Sequence, residues 1–154
     1  MRRSLIVTAI AAALIAACGG QSPSSNTSAG SGATVKTMST KLGTILATGQ
    51  GQTLYLFEKD MGSTSECTGT CATAWPPLLT QGRPQAGSGV NASKLGTTSR
   101  ADGTTQVTYN GHPLYMFHMD AGASGSVKGE GLDKFGAEWY ALNPAGQKVE
   151  EAGS

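Results

Sequence analysis

The feature that most constrains this chain is an internal repeat. Thr53-Leu54-Tyr55-Leu56-Phe57-Glu58-Lys59-Asp60 is echoed by Pro113-Leu114-Tyr115-Met116-Phe117-His118-Met119-Asp120. Each copy is followed by a Gly-containing segment and a Trp, Trp75 and Trp139, with Leu78 and Leu142 three residues beyond. Leu42-Gly43-Thr44 before the first copy is matched to Leu95-Gly96-Thr97 before the second. Landmarks recurring in one order indicate two copies of one structural unit, packed about a pseudo-twofold axis.

Local chemistry assigns these units to β structure. Asn110-Gly111, between Val107–Tyr109 and Leu114–Phe117, is the strongest short-range hairpin signal. Asp102-Gly103 supplies a second turn between Leu95–Arg100 and Thr105–Tyr109, giving a three-stranded meander. In the first copy, Thr44–Thr48 and Thr53–Phe57 flank a longer Gly49–Gln52 loop. Trp75–Leu79 and Trp139–Leu142 read as further short strands, the former at an edge because Pro76 and Pro77 cannot donate to a ladder. The 22 Gly and 6 Pro also suit many turns, and no stretch after residue 34 keeps a helical period. The expected fold is all-β: two pseudo-symmetric, three- to four-stranded antiparallel repeats, residues 35–80 and 87–149, packed as a small sandwich or barrel.

On a strand, Tyr55 and Phe57 face one way while Leu54 and Leu56 face the other, and Tyr115 and Phe117 repeat this against Leu114 and Met116. Both faces are apolar, so these strands are expected to be buried on both sides. Asp60 and Asp120 fall where each strand should end, able to bond their own backbone two residues on and start a turn. One reading makes Tyr and Asp a binding or proton-relay pair. The preferred reading makes them core and turn, since a strand separates the two along the chain.

The first residues are an address. Arg2 and Arg3 precede the uncharged apolar run Leu5–Ile15 and the small residues Ala16 and Ala17, the outline of a secretory signal, residues 1–17. Ile15-Ala16-Ala17-Cys18 resembles the bacterial lipobox, which implies lipidation of Cys18 and cleavage before it. Stable anchoring needs two or more acyl chains. Without Arg2 and Arg3 the chain keeps 9 basic against 10 acidic residues, so lipid rather than charge would hold it to a membrane. Residues 18–34 then read as a lipidated flexible tether of Gly, Ser and other small residues, spanning on the order of 20 Å. The β domain occupies 35–149 and a tail 150–154.

Two Tyr-x-Phe-x-x-Asp copies, Cys67-x-Gly69-x-Cys71-Ala72-x-x-Trp75-Pro76-Pro77-Leu78, Asn110-Gly111-x-Pro113-Leu114-Tyr115 and Trp139-Tyr140 together resemble the bacterial secreted-repeat lipoproteins, over roughly Leu42 to Leu142. That resemblance implies an envelope location, outside the cytoplasm, and a repeat architecture. It implies no activity.

A formal charge of +1 leaves no basic stripe for nucleic acid. With Cys18 lipidated, Cys67 and Cys71 remain as an even pair in an oxidising compartment and are expected to form a local disulfide that positions Trp75. The alternative is a copper or redox site. Thiolate, imidazole and thioether all suit copper, and His112, Met116, His118 and Met119 cluster in the second copy. No nucleophile motif, zinc motif or phosphate loop is present, so no enzyme is expected. Gly125–Gly131 reads as a mobile loop. Any ligand is expected between the long loops Asp60–Ala74 and Asp120–Glu138. The functional reading is a monomeric, lipid-anchored envelope module, sorted to the outer membrane if the cell has one. It would be non-catalytic and would bind an envelope protein or small ligand, with no cofactor expected. The alternative is a copper-handling or redox lipoprotein.

Overall fold

A computed structural model describes residues 31–150. Its strands are β1 Thr34–Thr40, β2 Gly43–Thr48, β3 Tyr55–Phe57, β4 Gln85–Ala86, β5 Leu95–Ser99, β6 Thr105–Tyr109, β7 His112–Pro113, β8 Leu132–Lys134 and β9 Ala137–Ala141. They form three sheets, ordered β2-β1-β4, β3-β9-β8 and β5-β6-β7, none closed into a barrel. All strand pairs are antiparallel except β1–β4, which is parallel. The described residues are all-β, with one five-residue α-helix among them, α1 Thr70–Ala74, which no helical period announces.

Each repeat opens with a hairpin, β1–β2 or β5–β6. Gly43 and Gly103, sixty residues apart, both take left-handed backbone at the hairpin turn (φ 93° and 81°), where a side chain would be strained. Leu42-Gly43-Thr44 thus sits at a hairpin turn, as Asp102-Gly103 does, whereas Leu95-Gly96-Thr97 begins β5. The expected Asn110-Gly111 turn forms, with φ of 50° and 83°. It joins β6 to the two-residue β7 and, through the bond of Leu114 N to Val107 O, to Leu114, after which Tyr115–Phe117 leaves the hairpin.

Both motif strands instead leave their hairpins and cross to the other repeat. Leu54 N still bonds Leu46 O at 3.1 Å and Leu114 N bonds Val107 O at 3.0 Å. One residue later the two strands meet: Tyr55 N donates to Tyr115 O (2.9 Å) and Tyr115 N to Tyr55 O (3.0 Å). The pseudo-twofold axis passes between them. Beyond it, β3 pairs with β9 of the second repeat, Leu56 opposite Tyr140. Reciprocally, Met116 N donates to Pro76 O of the first repeat at 2.8 Å. The segment after Trp75 makes only isolated bridges, Pro77 to Tyr115 and Leu79 to Gln106, rather than the expected edge strand. Two consecutive prolines without N–H account for that.

The motif strands lie between two cores, as their alternation requires. Tyr55, Phe57, Tyr115 and Phe117 join Trp75, Trp139, Ile45 and the Cys67–Cys71 pair on one side. Leu54, Leu56 and Leu114 join Leu46, Val107, Tyr109, Leu78 and Leu142 on the other. The domain also takes in residues assigned by composition to the tether: Ala33 N donates to Thr80 Oγ1 (3.1 Å) and Thr34 begins β1. The signal segment, Cys18 and residues 151–154 lie outside the described residues.

Candidate functional site

The centre of the molecule is an aromatic stack running through both repeats. Trp75 and Trp139 lie face to face, ring centroids 3.9 Å apart and planes 4° from parallel. Phe57 stacks on Trp139 at 4.0 Å and Phe117 on Trp75 at 4.3 Å, so each Trp carries the Phe of the other repeat. Tyr55 and Tyr115 stand nearly perpendicular to Trp75 and Trp139, with ring centroids 5.3 and 5.2 Å apart. Offset stacks and edge contacts are the two favourable aromatic geometries.

The tyrosine hydroxyls end at carboxylates, and the pairing crosses between repeats. Tyr55 Oη donates to Asp120 Oδ2 at 2.5 Å, and Tyr115 Oη donates to Asp60 Oδ2 at 2.8 Å. Tyr and Asp of one copy are indeed too far apart along the strand to meet. Sequence reasoning missed that each reaches the partner in the other copy. Burial pushes both hydroxyls up, aided at Tyr55 by its bond to Asp120 and at Tyr115 by the charge of Asp60, so both stay protonated as donors.

Neither aspartate bonds the backbone two residues on, as a simple turn would require. Asp60 Oδ1 accepts from Glu66 N (2.8 Å), and Asp120 Oδ1 accepts from Lys128 N (3.1 Å) and Ser126 Oγ (2.5 Å). Each carboxylate thus fixes the long loop that follows its strand. The residues next in line, Cys67 and Gly129, are both buried. Gly129 N donates to Tyr55 Oη at 3.2 Å, and a Cβ on Gly129 would come within 2.7 Å of the Trp75 ring and 2.9 Å of Tyr55. The Gly125–Gly131 segment, read as a mobile loop, is therefore packed against the core. Its Val127 is also buried.

The two ends differ in their surroundings. Asp120 is fully buried. Asp60 is only partly buried, yet desolvation still raises its pKa from 3.8 to about 6, against the lowering effect of its bonds from Glu66 and Tyr115. Beside it lies Arg100, 7% exposed, a residue without any sequence signal of its own. Its Nη1 donates to Ser65 Oγ (2.6 Å) and Gln106 Oε1 (2.8 Å), and its Nη2 to Cys67 O (2.7 Å). Ser65 Oγ in turn is 2.7 Å from Tyr115 Oη. Gln106 was legible in principle: it is a polar side chain where the first repeat has the core residue Ile45, by the matching bonds of Leu46 N to Leu142 O and Val107 N to Leu78 O.

Cys67 and Cys71 form the expected disulfide, with Cα atoms 5.2 Å apart. Cys71 lies in α1, and Trp75 N donates to Cys71 O at 2.7 Å, so the bridge holds the turn that delivers Trp75 to the stack. The four residues considered for copper are spread over different surroundings. Met116 packs against the leucine core, and His112 lies half-buried on β7, its pKa lowered by desolvation. His118 and Met119 are on an exposed 3-10 turn, with His118 Nδ1 2.9 Å from Ala74 O. Among the described residues no three His, Cys, Asp or Glu side chains converge on a metal position. A groove of about 820 Å³ lies away from the two long loops. It runs between the inter-repeat linker, Leu79–Pro84, and the β5–β6 hairpin. Smaller hollows of about 430 and 210 Å³ adjoin Asp60 and Asp120.

Fold and site together define a two-repeat β module whose repeated motif holds the repeats to each other. The chain belongs to a family of secreted repeats of unknown function, whose profile matches residues 36–79 and 96–143. The two matches begin sixty residues apart, the same offset that relates Gly43 to Gly103 and Tyr55 to Tyr115. The family description fits an extracellular or envelope location. No curated protein and no solved structure matches the chain. Among the described residues no helix is long and apolar enough to cross a membrane.

Proposed function

We propose that this protein is a lipid-anchored, non-catalytic module of the cell envelope that binds a partner through its outer surfaces. The observation that carries the reading is the crossed pairing of Tyr55 with Asp120 and Tyr115 with Asp60. The four polar groups of the repeated motif are engaged with one another and with loop backbone, so the motif acts as architecture. Binding then falls to the surfaces that the two repeats do not share. The anchor is supported by Arg2 and Arg3, the apolar run to Ala17, and Cys18 directly after it. Two or more acyl chains on Cys18 would hold a near-neutral domain at a membrane surface.

Detergent-phase partitioning of the protein from intact cells tests the anchor. The native protein is expected in the detergent phase. Cys18→Ser is expected in the aqueous phase, with the near-ultraviolet circular dichroism of the tryptophan stack unchanged. Recovery of membrane-derived mature protein with Cys18 as an unmodified thiol would overturn the anchor.

A further inference from the structure

The pseudo-symmetry that relates the two repeats breaks at one sheet edge. In the first repeat, the outer edge of β1 is covered by the chain's own linker. Gly87 N donates to Val35 O at 2.7 Å and Thr37 N donates to Ser88 O at 2.9 Å, with β4 running parallel to β1. Thr37 Oγ1 adds a bond to Ser88 O at 3.0 Å. The same offset of sixty maps Val35 to Leu95, Thr37 to Thr97 and Ser39 to Ser99 on β5. Asn110 N bonds Lys94 O and Arg100 N bonds Thr104 O on the β6 side. By the alternation of an antiparallel pair, Leu95, Thr97 and Ser99 therefore turn backbone groups outward. Yet β5 stands at the end of its sheet, and among the described residues no strand lies on its outer side. The consequence shows in burial: Val35 is wholly buried, whereas Leu95 is half-buried and Thr97 exposed.

Exposed edges are usually blunted by charge, proline or a bulge. The outer strand β8 follows that rule with Asp133 and Lys134. By contrast β5, Leu-Gly-Thr-Thr-Ser, carries neither charge nor proline, and it forms one wall of the 820 Å³ groove. We infer that the outer edge of β5 binds an extended peptide of small, uncharged residues as an added parallel strand. This inference gives a partner class to the binding module proposed above and rests on that reading.

The linker on β1 is the template for the bound form. Gln85-Ala86-Gly87-Ser88-Gly89 is uncharged and small from Ala86 on, and a Cβ on Gly87 would come within 2.9 Å of Lys36 Cβ. On β5 the residue matching Lys36 is Gly96, whose missing side chain leaves that position open to a peptide residue larger than glycine. Backbone bonds to Leu95 O and Thr97 N would supply affinity, and the groove over Gly96 would supply selection. Strand addition to an exposed edge is a recurrent mode of peptide recognition.

The test is titration of the folded domain with a capped peptide copying residues 85–90, read by backbone amide shifts and amide exchange. Shifts should concentrate on Leu95–Ser99, and the Thr97 amide should become protected. N-methylation of the peptide glycine that would donate to Leu95 O should weaken binding about tenfold or more, as expected for a lost backbone bond. Thr97→Pro should do the same from the protein side, and the methylated peptide decides the matter if that variant folds poorly. Equal affinity for both peptides, shifts centred elsewhere, or no binding at millimolar peptide would each overturn the inference. So would protection of the same amides without peptide, accompanied by concentration-dependent dimerisation, since the edge would then serve a second copy. None of these outcomes touches the lipid anchor, which the partitioning experiment decides separately.

Discussion

The two Tyr–Asp junctions are built alike and buried differently. Asp120 is fully enclosed and takes three donors: the Tyr55 hydroxyl, the Ser126 hydroxyl and the Lys128 amide. Asp60 takes two, from Tyr115 and Glu66, and lies at the margin of a hollow it shares with Glu58, His112 and Lys148. Where the second repeat closes its site with a glycine under Trp75, the first closes its own with a disulfide turn and the Arg100 network. Geometry inherited from the repeat is kept where the two copies touch. Chemistry diverges where each copy meets its own loop.

The largest effect should come from what the junctions share. Phe57→Ala and Phe117→Ala each remove one end of the same four-ring stack. Each should cost about 3–5 kcal/mol in urea unfolding, comparable with the whole stability of a marginal domain. A large cost at one Phe and a small cost at the other would break the symmetry of the comparison.

The junctions themselves should then separate. Asparagine offers one acceptor oxygen where aspartate offers two, so Asp120→Asn orphans a buried donor and should cost about 1–3 kcal/mol. Asp60→Asn should cost less, because only two donors are served and solvent reaches the site. Asp60 also sets a pH dependence. With a folded pKa of about 6 against an ordinary 3.8, the folded state holds the extra proton. Stability from this group is therefore full below about pH 4 and is lost as pH rises through 6. Unfolding midpoints measured across that range should show this slope in the native protein, and Asp60→Asn should remove it.

The smallest effect is expected at the exposed turn. His118, matching Glu58, has its ring against Phe117 and a backbone carbonyl and is otherwise in solvent. His118→Gln should shift stability by no more than about 0.5 kcal/mol.

Much of the fold was legible because its signals are local. Asn110-Gly111 and Asp102-Gly103 mark turns through backbone that glycine alone tolerates well. The alternation of Tyr55 and Phe57 against Leu54 and Leu56 marks a strand buried on both faces. What was not legible is long-range partnership. Residue alternation says which way Tyr55 points, but not that Asp120, 65 residues away, will be there. Matching by residue letters also paired Leu42-Gly43-Thr44, at a hairpin turn, with a segment that begins a strand, where constant spacing would have found the turn at Asp102-Gly103. Glycines in residues 125–131 suggested mobility because close packing against Trp75 leaves no mark in the sequence. The half-buried position of His112 likewise depends on which sheet its segment joins.

The central claim is that the motif interlocks the repeats, and double-mutant cycles on Tyr→Phe and Asp→Asn test it most directly. Tyr55→Phe with Asp120→Asn, and Tyr115→Phe with Asp60→Asn, should each show a coupling energy of about 0.5–3 kcal/mol in unfolding free energy. Tyr55→Phe with Asp60→Asn, and Tyr115→Phe with Asp120→Asn, should be additive to within about 0.5 kcal/mol. Coupling within a copy of the motif, with additivity across copies, would contradict the account.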